Sequence, residues 1–78
     1  LKRTRGPAMN EYVVIYEQAE DGGWGAYLPD LPGVVAIGAT RGEVAGGIRE
    51  ALAAYADDLH DRGLHLPEPH HASEIVAA

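Results

Sequence analysis

The sequence predicts a small α+β domain in the order strand, strand, strand, helix, strand, with one helix packed on a mostly antiparallel sheet. Three observations carry this reading. Two runs of β-branched and aromatic residues, at 12–16 and 24–28, flank the turn-forming Glu20-Asp21-Gly22-Gly23. A third such run follows Pro32-Gly33. From Thr40 onward, apolar residues recur at helical spacing behind a capping sequence.

The elements follow in chain order. Residues 1–8 show no periodicity and precede Met9, so they are read as a flexible leader or expression remnant, and 9–78 as the domain. Tyr12-Val13-Val14-Ile15-Tyr16 suits a pleated surface and forms strand one. The Asp-Gly and Gly-Gly pairs tolerate positive φ, so Trp24-Gly25-Ala26-Tyr27-Leu28 returns as the second strand of a hairpin. Pro29 has no N–H for the ladder and must end or edge that strand. Val34-Val35-Ala36-Ile37-Gly38 is strand three.

Thr40-Arg41-Gly42-Glu43 has capping-box spacing, in which the threonine hydroxyl accepts from the third helical amide and the glutamate reaches back. Behind it, Val44, Ile48, Leu52, Tyr55 and Leu59 form one stripe, and Gly63 supplies a left-handed stop. A helix over residues 41–62 is predicted. Gly42, Gly46 and Gly47 are read as close approach of its first turns to the sheet. Leu64-His65-Leu66-Pro67-Glu68-Pro69 is an extended connector, because residues before proline disfavour helix. Ser73-Glu74-Ile75-Val76 is expected as a short final strand.

Composition narrows the function. The chain has 78 residues and no cysteine, which leaves room for one domain and excludes disulfides and thiolate chemistry. So small a core is marginal, and self-association is the favoured source of further burial. No apolar run is long enough for a membrane helix, and no signal-peptide pattern opens the chain. A cytoplasmic protein without membrane contact is expected. Net charge is −6, but Lys2, Arg3 and Arg5 precede Met9. From residue 10 onward three arginines face all twelve acids, a net of −9. Such a body repels phosphate backbones and favours a basic protein partner.

No catalytic set is visible. Asp57, Asp58 and Asp61 cluster on one helix surface, where charge runs are solvated, and Ser73 has no nucleophile-elbow spacing. His60, His65, His70 and His71 do not match a metal-binding helix, so no metal or other cofactor is expected. The chain is read as a non-enzyme.

Several pieces in register resemble the HicB family of antitoxins. They are Tyr12 opening strand one, Trp24-Gly25-Ala26-Tyr27, Leu28-Pro29-Asp30-Leu31-Pro32-Gly33, and Gly38-Ala39-Thr40 leading into a helix with Glu43. Gly63-Leu64-His65-Leu66-Pro67-Glu68-Pro69 completes the pattern, which spans about residues 10–76. The resemblance implies a cytoplasmic bacterial antitoxin that binds a small basic HicA-type toxin, an RNA-cleaving protein, and covers its active or RNA-binding surface. It also implies a truncated ribonuclease-H-like sheet and a dimer or larger homo-oligomer. Val34 stands where the family often has cysteine and keeps the apolar role. Many members continue into an operator-binding domain; these 78 residues hold none, so no direct nucleic-acid binding is expected from them alone. The rival reading is a small ligand- or nucleic-acid-binding regulator on the same fold, without a toxin.

Candidate partner-binding residues are the acidic hairpin set Glu17, Glu20 and Asp21, the aromatics Trp24 and Tyr27, and Asp30 in the Pro29–Pro32 corner. Strand one is apolar on both faces while only one helix is available. Tyr12, Val14 and Tyr16 are therefore candidates for self-association.

Overall fold

The computed structural model describes residues 11–78. The leader expected at residues 1–8, and Met9 as its boundary, lie outside the described residues. Strands β1 (Ile15–Gln18), β2 (Trp24–Leu28) and β3 (Leu31–Gly38) are followed by helix α1 (Arg41–Asp61). The sheet runs β1-β2-β3 and both pairings are antiparallel. The α+β class with one helix on one sheet face is observed.

The hairpin turn closes as its residues dictate. Gly22 sits at φ +92°, and its amide donates to the Ala19 carbonyl at 2.9 Å. The Asp21 carboxylate accepts from the Gly23 amide at 2.9 Å. Pairing then runs from Gln18↔Trp24 to Ile15↔Tyr27 and stops. Pro29 and Asp30 turn the chain away directly after Leu28, so residues 12–14 have no ladder neighbour among the described residues. Strand one thus starts three residues later than its composition predicts.

Strand three starts earlier than predicted, at Leu31. Tyr27 pairs with Val35 but Leu28 pairs with Leu31, so Pro32, Gly33 and Val34 bow out of the ladder. This is where a proline without an N–H can be carried on an edge strand.

The helix begins as its cap requires. The Thr40 hydroxyl accepts from the Glu43 amide at 3.1 Å, and the Glu43 carboxylate accepts from the Ala39 amide at 3.0 Å. Gly63, at φ +72°, ends it, with the Leu64 amide donating to the Leu59 carbonyl at 2.8 Å. The predicted stripe is the packed face: Val44, Ile48 and Leu59 are buried, and Leu52 and Tyr55 half-buried.

The core lies between this stripe and Ala26, Leu28, Leu31 and Val34. Full burial of each large member contributes about 1.5–3 kcal/mol. Of the helix glycines, Gly47 makes the close approach: a Cβ there would sit 3.4 Å from the Ala36 Cβ. Gly46 faces open space. A tighter fit is at Gly38 in β3, where a Cβ would lie 3.2 Å from Val44 Cγ2. At the helix start the Arg41 guanidinium stacks 4.6 Å from the Tyr16 ring centre, tying α1 to β1.

The final strand does not form. Residues 72–78 are all exposed and unpaired, with Ile75 fully open to solvent. The connector explains this. Leu66 packs on the core, the Tyr12 hydroxyl donates to the Pro67 carbonyl, and His71 reaches Asp30. The chain is held across the end of the sheet, and strand propensity in four residues does not redirect it to an edge.

Candidate interaction site

Strand parity divides the sheet into two faces. Tyr16, Trp24, Ala26, Leu28, Val34 and Ala36 point toward α1 and belong to the core or pack on it. The alternate residues Ile15, Tyr27, Val35 and Ile37 form the opposite face, which no element covers among the described residues. Tyr27 is 38% exposed, Val35 58% and Ile37 88%. Ile15, Tyr27 and Val35 lie in one cross-strand row. In the next row Gly25 separates Glu17 from Ile37 and leaves a gap between them. The result is a shallow hollow of about 490 Å³ lined by Glu17, Tyr27, Pro29, Pro32, Val35 and Ile37. It continues past Glu17 and Ile37 into a second open depression, about 1000 Å³, at the hairpin end beside Asp21 and Trp24.

The predicted partner-binding residues separate by position. Glu17 and Tyr27 lie on the open face. Glu20 and Asp21 stand exposed in the turn at its end. Glu17 and Glu20 have no ion pair among the described residues, and Asp21 is engaged only by its own turn. Trp24 points to the helix side, half-buried against the core, while its edge lines the hairpin depression. Asp30 is not brought to this surface. Its side chain is 4% exposed, and Oδ1 lies 2.8 Å from His71 Nδ1. Burial pushes the Asp30 carboxyl up. The His71 hydrogen bond, the backbone amides of His70 and His71, and the His71 charge outweigh this and hold it below its ordinary value. Burial, and then the Asp30 charge, push the Tyr12 hydroxyl up.

Tyr12, Val14 and Tyr16 pack half-buried against the core on the helix side. Among the described residues, the uncovered parity of the sheet is that of Ile15. Val35 and Ile37 were read from the sequence as strand residues and not as site residues. Their alternation with the small Ala36 and Gly38 was the available signal, since small residues mark where a helix can lie close.

Among the described residues, an α+β domain with an uncovered apolar strand face edged by exposed acids has the build of a module that binds another macromolecule. The model of the HicB-like antitoxin of bacterial toxin–antitoxin systems matches residues 12–78, and this chain belongs to that family. It is similar to the UPF0150 protein Ta0767 of Thermoplasma acidophilum, 35% identical over 66 residues that cover 85% of this chain and 94% of that protein. It is also similar to the UPF0150 protein ssl0738 of Synechocystis sp., 37% identical over 59 residues, or 74% and 82% of the two chains. No solved structure matches it significantly. The family supports an antitoxin role, a toxin as partner and a function other than catalysis. No helix among the described residues is long and apolar enough to cross a membrane.

Proposed function

We propose that this chain neutralises a HicA-type ribonuclease toxin by docking on it through the open strand face and the acidic hairpin. The reading is steric and electrostatic exclusion. Tyr27, Val35 and Ile37 supply the apolar contact, and Glu17, Glu20 and Asp21 attract a basic surface of the kind that holds RNA. The observation that carries it is that the open-face hollow adjoins the depression at the hairpin end, the two sharing Glu17, Gly25 and Ile37. Apolar contact at the centre with charge at the rim slows dissociation and speeds encounter.

The proposal places the protein in the bacterial cytoplasm, where such a toxin meets RNA, and includes a homo-oligomer. Tyr12, Val14 and Tyr16 are only half-buried, and among the described residues β1 is an edge strand with no strand on its outer side. A second copy can bury both. The test is co-expression with the basic protein of about 60–80 residues expected from the adjoining reading frame, followed by RNA cleavage assays on the purified partners. Stoichiometric loss of cleavage supports the reading. Full cleavage in a mixture saturated with this chain contradicts it.

A further inference from the structure

The Pro29-Asp30-Leu31-Pro32 corner has two sides. Pro29 and Pro32 line the open-face hollow, whereas Asp30 turns inward to a segment 41 residues further along. That segment leaves the helix at Gly63 and crosses the end of the sheet where β1 begins and β2 turns into β3. Its contacts with the body include Leu66 on the core, the Pro67 carbonyl accepting from the Tyr12 hydroxyl, and His71 Nδ1 at 2.8 Å from Asp30 Oδ1. Of these, the Asp30–His71 contact lies farthest along the chain. Every residue from 72 to 78 is exposed.

The two members of that contact are unequal. Asp30 belongs to the corner between β2 and β3 and its side chain is 4% exposed; His71 belongs to the crossing segment and its side chain is 52% exposed. Asp30 Oδ2 is also shut off from solvent, with no well-formed hydrogen bond among the described residues. A buried carboxylate so placed depends on the segment that caps it.

We infer that Asp30 and His71 form a latch that fastens residues 64–71 across the end of the sheet, and that this latch opens without unfolding the core. Closed, it roots residues 72–78, including the exposed Ile75 and Val76, beside the Pro29 and Pro32 corner of the open face. Opened, it uncovers Tyr12 and Leu66. A segment with so few buried contacts belongs to the low-stability end of a domain, where local opening precedes global unfolding.

The titratable side chains facing Asp30 are His71 from the crossing segment and Tyr12 from the residues before β1. Asp30 is held below its unfolded value, so the charged carboxylate favours the closed latch at neutral pH. That contribution is lost as pH falls through the lowered value. The latch is therefore expected to open in acid.

The test is backbone order by NMR relaxation on the full chain, comparing wild type, His71→Ala and Asp30→Asn. In wild type at neutral pH the amides of Glu68, His70 and His71 should approach the order parameter of rigid backbone, about 0.85. In both variants they should fall below about 0.6, with those of α1 and β2 unchanged. Acidifying wild type should reproduce the fall before α1 loses order, and Asp30→Asn should show no such step. His71 lies outside the core, so its variant decides the matter even if Asp30→Asn fails to fold. Equal order at residues 68–71 in wild type and His71→Ala would overturn the inference, as would loss of order at these residues only together with α1.

Discussion

The two faces of this sheet are made by the same three strands, yet they differ sharply in burial. On the helix side Leu28 and Val34 are each 1% exposed; one residue away, Tyr27 is 38% and Val35 58% exposed. Parity alone separates them. What decides which parity is covered is the close approach at Gly47 and Gly38, which lets α1 lie on the Ala36 side. On the proposed function, stability and recognition fall to alternate residues of one strand. Substitutions on one face should then act on folding, and on the other face on binding.

The largest test lies on the covered side. Leu28→Ala removes a fully buried side chain from a small core and should destabilise the fold by about 2–5 kcal/mol in chemical denaturation. Toxin binding should then fall only as far as the folded fraction falls. Ile37→Lys should behave in the opposite way. It places a cation on the edge strand of the open face, so stability should change by no more than about 0.5 kcal/mol. Affinity for a basic toxin, by calorimetry, should drop by about 2 kcal/mol or more. If both substitutions act on stability alone, the division of labour fails.

Thr40→Ala sharpens the comparison in a smaller way. It deletes the side-chain bond to the Glu43 amide and should lower the denaturation midpoint by the equivalent of about 1 kcal/mol, leaving affinity unchanged. The smallest effect per residue is expected at the hairpin. Neutralising Glu17, Glu20 and Asp21 together should leave folding intact and slow association, with the salt dependence of binding flattened. Each acid is exposed, and rim charges contribute under about 1 kcal/mol apiece.

Much of the fold was legible because its signals are local. Thr40 and Glu43 start the helix, Gly63 stops it, and Gly22 closes the hairpin, each within a few residues of its partner. The failures are non-local. Strand one is displaced because its ladder ends where Pro29 takes β2 away. The last strand is absent because residues 66–71 are committed to Tyr12 and Asp30. The candidate site was half legible. Of the residues lining the open face, Glu17 and Tyr27 carry their own signal in charge and aromaticity. Val35 and Ile37 needed knowledge of which face the helix covers, and no local pattern shows that Asp30 faces His71.

The central claim is that the uncovered parity is the docking face. Hydrogen exchange of the isolated chain and of its complex with the cognate toxin tests it most directly. The account predicts new protection in β3 around Val35 and Ile37 and in the hairpin between Glu17 and Trp24, with exchange on the outer helix turns near Ala53 and Asp57 unchanged. Protection confined to α1, with β3 and the hairpin exchanging as in the free protein, would contradict it.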